Sequence, residues 1–397
     1  MSYTGSLRFT TSFILRLKYL LDPCKINEPL EDVEIEVSDG ILVSLKKGIK
    51  GGLDIIAIPP LTDAHTHMEL SPLKGAVRRE KLFGWIIDLA RKSFFLGDDE
   101  IVEGVRDSIY SRFWEGVLYI GEISSRRLDL GVSVDIPVNI RFFLEFIRSF
   151  EGVLEKDNIG LSPHAIYSSR EDIIKEVAFC SRERKLPFTI HYLESYEEER
   201  LFKEGSRELD WFYSFFHIER DFSRYSSSIE MLERLGVFDS YNPSFVHLTY
   251  GNRDVFEKIK ESNGYGILCP SSNLFIEGKL PPVREMLDIL GSSRIGIGTD
   301  SPASGLFQSV WDEMRILYLN LNLDPADILK MAVVGGRLAI GYDFPCISEG
   351  KGIELVLVKL PGSVGKKDIL NYLMTVKEKD IVGIVTRKGL IWKKSSS

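Results

Sequence analysis

The stretch LTDAHTHMELS, residues 61–71, follows a short apolar lead with His65 and His67 two residues apart and Glu69 two further on. On an extended strand, residues i and i+2 share a face, with Cα atoms about 6–7 Å apart. Two imidazoles so placed can lean onto one ion at metal–nitrogen distances of about 2.0–2.1 Å. A His-x-His pair alone is as readily two satisfied polar side chains. Its meaning depends on what the rest of the chain brings to it.

Further apolar runs of strand length follow at intervals: VLYIGEIS from Val117, VNIRFFLE from Val138, IGLSPHAI from Ile159 and PFTIHYLE from Pro187. SFVHLTY from Ser244, YGILCPS from Tyr265 and RIGIGTD from Arg294 complete the series. Segments of helical period separate most of them. In SREDIIKEVAFCSRERK, Ser169 is expected to cap the helix and Ile173, Ile174 and Val177 to face inward. Together with residues 61–67 this makes eight β–α units, which predict an α/β fold, the parallel (β/α)8 or TIM barrel.

Both ends of the chain read as β. DVEIEVSDGILVSLKKG alternates Val33, Ile35 and Val37, turns at Ser38-Asp39-Gly40, and alternates again at Ile41, Val43 and Leu45. GIELVLVKL from Gly352 and IVGIVTRKGLIWKK, with a turn at Arg387-Lys388-Gly389, have the same character. The expected organisation is a small β-sandwich domain from residues 1–58 and 345–397, with the barrel, 59–344, inserted between them. Ser395–Ser397 reads as a frayed tail.

The chain has 6 histidines. His65, His67, His164, His191 and His247 all fall at or near the C-terminal ends of predicted strands; only His217 does not. In a (β/α)8 barrel those ends converge on one mouth, where active sites sit. Random scatter would seldom produce that convergence, and it moves His65 and His67 from coincidence to metal ligands. Asp300 joins them at the end of RIGIGTD, beside the first strand once the barrel closes. The bland alternative for Asp300 is a cap on the following helix.

Composition narrows the function. With 50 basic and 58 acidic residues the formal charge is −8, which disfavours generic binding to nucleic acid or an anionic membrane. SFILRLKYLL near the start is interrupted by Arg16 and Lys18 and is no membrane span. Cys24, Cys180, Cys269 and Cys346 are scattered without a C-x-x-C. With no signal-peptide layout at the start, the expectation is a cytoplasmic chain with reduced, mostly buried thiols. H-x-E with P-C-x-x-C is absent, as is a G-x-S-x-G elbow. GSVGKKD is one residue short of a P-loop and lacks its Ser/Thr.

DAHTH on the first strand, IHYLE on the fifth, VHLTY on the sixth and IGTDSPAS on the eighth together resemble the amidohydrolase superfamily, nearest its purine and nucleoside deaminase and chlorohydrolase branch. The resemblance spans nearly the whole chain. It implies metal ligands His65, His67, His191 and Asp300, with His247 hydrogen-bonding the attacking water and Glu194 as proton shuttle. Binuclear members carry a bridging carboxylated lysine at the end of the fourth strand. This chain has LSPHAI there, which implies a single divalent ion and a substrate contact from His164. A nitrogen-rich set with one carboxylate suits zinc, with iron(II) as the alternative.

HMELS, containing Glu69, resembles the pattern of aminofutalosine deaminases of menaquinone biosynthesis. Trp85 in LFGWIIDL matches a pocket tryptophan of the branch, and equally suits a helix core. Glu145 at the end of RFFLE, with Arg141 and Arg148 nearby, is a further candidate substrate contact. No acid among Asp88, Asp98, Asp99 and Glu100 stands out as a ribose contact, and Gly305 stands where many relatives have Asn. The expected activity is hydrolytic deamination of an adenine-bearing nucleoside by water, aminofutalosine or its deoxy form first. Methylthioadenosine, S-adenosylhomocysteine or adenosine, and then guanine or a triazine-like ring, are the alternatives. A non-enzymatic barrel fits poorly with an intact ligand set. The expected partners are the small molecule and water, with the chain alone or paired as a homodimer.

Overall fold

The computed structural model describes residues 8–202, 207–216, 221–305, 308–344 and 346–393; His217 and the serine tail lie outside them. Four strands come first: β1 (Ser12–Leu20), β2 (Leu30–Ser38), β3 (Ile41–Lys47) and β4 (Leu53–Ile58). The barrel strands follow: β5 (Leu61–Thr66), β6 (Val117–Ser124), β7 (Asn139–Phe146), β8 (Ile159–Pro163), β9 (Phe188–Tyr192), β10 (Pro243–His247), β11 (Tyr265–Leu268) and β12 (Ile295–Ile297). β13 (Leu355–Lys359), β14 (Ile381–Thr386) and β15 (Gly389–Trp392) end the chain.

β5 to β12 pair in sequence order, all parallel, as an eight-stranded sheet. A bridge between Thr66 and Asp300 brings its first and last strands together, closing the (β/α)8 barrel. All eight runs legible in the sequence are strands. The closure is tight because the eighth run alternates glycine. A Cβ on Gly298 would stand 2.7 Å from the His65 carbonyl oxygen and 2.8 Å from the His65 Cβ.

The other strands form one seven-stranded mixed sheet in the order β15-β14-β13-β4-β1-β2-β3. Bridges from Thr10 to Leu390 and from Ile41 to Gly352 tie its edges back to the segments ahead of β1 and β13, so the sheet folds over as a sandwich. Strand alternation lets it serve two cores. Ile55, Ala57, Leu355 and Leu357 pack inside the sandwich, while Ile56, Ile58, Val356 and Val358 face the barrel. That double duty explains why LVLV in β13 is apolar without a break.

Three details depart from the sequence reading. In the second hairpin strand Leu42 is buried and Ile41 and Val43 are exposed, because a bulge opposite Glu36–Val37 shifts the inward face by one residue. The helix Glu171–Arg184 has Arg170 at its N-cap, without a side-chain cap. Ser169 instead donates its hydroxyl to the Phe146 carbonyl (3.1 Å), although Ile173, Ile174 and Val177 are buried as expected. Finally, Cys24 and Cys346 form a disulfide, with Cα atoms 5.4 Å apart. Cys180 and Cys269 are free. The expectation of four reduced thiols is therefore corrected. The two partners are 322 residues apart and meet only because both termini fold together.

Candidate active site

His65 and His67 straddle the end of β5, His191 lies in β9, His247 ends β10, and Asp300 follows β12 by three residues. Parallel pairing in register carries these ends to one mouth. There the Nε2 atoms of His65 and His191 are 3.1 Å apart and those of His67 and His191 3.3 Å. Asp300 Oδ1 is 3.5 Å from His67 Nε2 and 3.7 Å from His65 Nε2. Four donors held about 2.0–2.1 Å from one tetrahedral ion stand about 3.3–3.4 Å from each other. These four separations bracket that value, and the group whose ligand atoms all lie within 4.8 Å of one another is His65, His191, His247 and Asp300, with His67 joined to it through His191 and Asp300. Two Nε2 atoms aimed at each other also make poor hydrogen bonds unless one carries the proton, whereas a shared cation satisfies both.

The groups around the donors hold them in place. His191 Nδ1 lies 2.8 Å from the His164 carbonyl oxygen, so that nitrogen donates and Nε2 is left with its lone pair facing the cluster. Ser272 and Ser304 donate their hydroxyls to Asp300 Oδ2 at 2.5 and 2.8 Å, leaving Oδ1 for the cluster. Asn273 bridges His247 Nδ1 (3.3 Å) and Thr249 (2.7 Å). His247 Nε2 then points into the site, buried and without a hydrogen-bond partner among the described residues.

Burial sets the charge state. Desolvation, then the neighbouring His65 ring, lowers the His67 pKa to about 3. Desolvation lowers that of His247 to about 4 against the pull of Asp300, and His191 falls well below its usual value. Burial alone would raise Asp300, but the His65 hydrogen bond and the imidazoles around it outweigh that and hold it well below the carboxylate range. Neutral imidazoles with one carboxylate are the protonation state a divalent cation requires.

Glu194 reaches the same space because the backbone turns before it. β9 stops at Tyr192, and Leu193 takes φ = 52°, a left-handed conformation rare for so bulky a residue. The amides of Leu193 and Glu194 donate to the buried Glu198 carboxylate (2.9 and 3.1 Å), which fixes the turn. Glu194 Oε1 then lies 3.7 Å from His247 Nε2, and Tyr167 lies 3.4 Å from Oε2. Burial, reinforced by the charge of Asp300, raises the Glu194 pKa well above normal. His247 (φ = 75°) and Asp300 (φ = 57°) sit in the same left-handed region. Such strain gathers where side chains are aimed for function.

The expected substrate contacts divide. His164 and Glu145 are half-buried beside His191, the three offering ligand atoms within 4.8 Å of one another. His164 Nδ1 pairs with Ser168 (2.6 Å), and Glu145 takes the Ser125 hydroxyl on Oε2 (2.7 Å) while Oε1 is buried without a partner among the described residues. Trp85 is buried and donates its indole N–H to the Ala303 carbonyl (3.2 Å), so it packs against the loop carrying Asp300. Glu69 is fully engaged: its carboxylate accepts the backbone amides of Ser125, Arg126, Leu128 and Asp129. That is the work of a loop organiser. Arg148 is exposed beyond β7, and Arg141 is buried with its guanidinium on the carbonyls of Asp157, Ile159, Ile340 and Gly341.

Sequence reading passed over Ser272, Asn273, Ser304, Tyr167 and Glu198. The first three had a signal, since they follow strand ends in YGILCPSSN and IGTDSPAS. Tyr167 and Glu198 had none, because their partners are set by loop geometry.

An adenosine deaminase of Helicobacter pylori is 23% identical over 348 residues, covering 81% of this chain and 84% of the relative. A 5-methylthioadenosine/S-adenosylhomocysteine deaminase of Pyrococcus furiosus is 23% identical over 369 residues, covering 82% of each. The crystal structure of H. pylori aminofutalosine deaminase with methylthio-coformycin shares the fold, with a TM-score of 0.81 at 22% identity over 95% of this chain and 99% of that one. The family model described as "Amidohydrolase family" matches residues 138–391, well over half the chain. The chain thus belongs to the amidohydrolase family and is a hydrolase acting on C–N bonds.

Proposed function

We propose that the chain is a single-metal deaminase of an adenine-bearing nucleoside, with aminofutalosine or aminodeoxyfutalosine as its first-choice substrate. The observation that carries the reading is the placement of Glu194 3.7 Å from His247, which with His65, His191 and Asp300 offers ligand atoms within 4.8 Å of one another, His67 standing 3.3 Å from His191 and 3.5 Å from Asp300. The relatives' names, adenosine and methylthioadenosine/S-adenosylhomocysteine deaminase, support an adenine nucleoside. His65, His67, His191 and Asp300 would hold the ion, zinc by donor type and iron(II) as the alternative. A divalent ion there supplies Lewis acidity that makes water nucleophilic near neutral pH.

The chain's own residues do the rest. His247 and Asp300 orient the attacking water, and Asp300 accepts its proton. Glu194, its pKa raised by burial, donates to the ring nitrogen beside the amino-bearing carbon, then carries the proton of the newly added hydroxyl to the departing amine, and the proton held by Asp300 returns to Glu194 as ammonia leaves. The balance is amidine plus water giving lactam plus ammonia. Glu145 and His164 offer hydrogen-bonding groups for the sugar or base.

A panel of aminofutalosine, aminodeoxyfutalosine, methylthioadenosine, S-adenosylhomocysteine, adenosine, guanine and a chlorotriazine tests this by ammonia release and the ultraviolet shift of adenine to hypoxanthine. Turnover is expected on the adenine nucleosides, highest on the futalosine pair, lost on chelation and restored by zinc or iron(II). Turnover confined to guanine or the triazine would overturn the substrate reading. Activity indifferent to chelation, in protein without bound metal, would overturn the metal.

A further inference from the structure

Three of the four proposed metal ligands lie at or just beyond the ends of the first and last barrel strands, yet these strands share no ladder. A single bridge, Thr66 to Asp300, joins β5 to β12. The backbone adds Asp300 N–H to the His65 carbonyl (2.9 Å) and His67 N–H to the Asp300 carbonyl (3.4 Å). A buried side-chain network completes the seam. Arg112, in the last turn of the helix Asp98–Trp114, donates from Nε to Asp63 Oδ2 (2.8 Å). Its Nη2 donates to the hydroxyls of Thr66 (2.8 Å) and Thr299 (2.9 Å). The Asp63 carboxylate accepts the Thr299 amide (2.9 Å) and hydroxyl (2.7 Å) as well. Asp63, Thr66 and Thr299 are fully buried, and Arg112 is 2% exposed.

We propose that Arg112 is a positioning residue that sets the separation of His65 and His67 from Asp300, acting through Asp63, Thr66 and Thr299. The inference rests on the metal reading above and goes beyond it, since the hydrogen bonds of Arg112 go to Asp63, Ser108, Thr66 and Thr299 and to none of the proposed ligands. Every side chain it grips is within two residues of a proposed ligand: Asp63 and Thr66 flank His65, and Thr299 precedes Asp300. A buried ion pair is often no better for stability than apolar packing, so stability alone accounts poorly for this one. A planar fork with donors in fixed directions spans two strands as an ammonium cannot. The two strands are thereby held at one spacing, and with them the edge of the donor polyhedron that crosses the seam.

The test uses the full chain freed of metal, with Arg112→Lys and Thr299→Val. Zinc affinity is read by competition with a chelator, cobalt(II) loading by visible absorption, and stability by the denaturant midpoint of the metal-free protein. Both variants are expected to weaken zinc binding about 10–100-fold and to alter the cobalt spectrum, over and above the lowering of the metal-free midpoint that breaking a buried network brings. Thr299→Val deletes one hydroxyl at nearly constant volume and carries the test if Arg112→Lys does not fold. Zinc affinities within twofold of the unaltered protein, with unchanged cobalt spectra, would overturn the proposal and leave the network a structural plug. His65→Ala separates the two readings. An unaltered protein that binds no more zinc than His65→Ala overturns the metal reading, and this inference with it.

Discussion

Glu194 stands three residues past His191, an offset that on a straight strand would turn it away from the site. The sequence showed that the chain must bend there; the structure locates the bend at Leu193 and ties it with Glu198. The segment ESYEEER is also less solvated than its acid content suggests, with Glu197 and Glu198 both buried. Glu194→Gln keeps the shape and mimics the protonated form, so fold and metal content should be preserved. If Glu194 moves the protons, kcat should fall roughly 100-fold or more. Normal turnover by this variant, measured as ammonia release, would reduce Glu194 to a buried loop acid. Glu69 makes the opposite lesson. Its place in HMELS marked it for substrate, but four amides from one loop take its carboxylate, and no local pattern shows where a loop 55 or more residues later will fold.

At the scale of elements, the seam between β5 and β12 depends on what Gly298 lacks. Any side chain there meets the His65 backbone, and backbone cannot swing aside as a flexible side chain can. Gly298→Ala should therefore push the strands apart, costing about 1–3 kcal/mol and weakening metal retention together. Gly131→Ala, where a Cβ would meet nothing within 4 Å, is the matched control. Denaturant midpoints and metal content measured on both would reject the close-approach account if Gly298→Ala behaved like the control. The alternating glycines of RIGIGTD were visible in the sequence. Their purpose was not, because it concerns a strand more than 230 residues earlier.

Across the whole molecule, two cores share one sheet and a disulfide joins its distant ends. Cys24 lies just beyond β1 and Cys346 between the barrel and β13. Breaking that link restores freedom to the unfolded chain, so reduction or Cys346→Ser should cost about 2–5 kcal/mol, read as a lower denaturant midpoint. An unchanged midpoint would mean that the link contributes nothing to the folded chain. No helix among the described residues is long and apolar enough to cross a membrane.

The sequence by itself determined the eight strand–helix units, the two terminal β segments, and the residue types that gather at the mouth. These are properties of periodicity and of residues at strand ends, both short-range, and a parallel barrel turns the second into a place in space. Only the tertiary structure decided which carboxylates face the cluster and which are taken by loops, how Arg112 grips the seam, and that two cysteines far apart in sequence meet. Each of those depends on contacts across the closed barrel or between the chain's two ends. Such contacts form only when elements distant in sequence pack, and no local pattern encodes their partners.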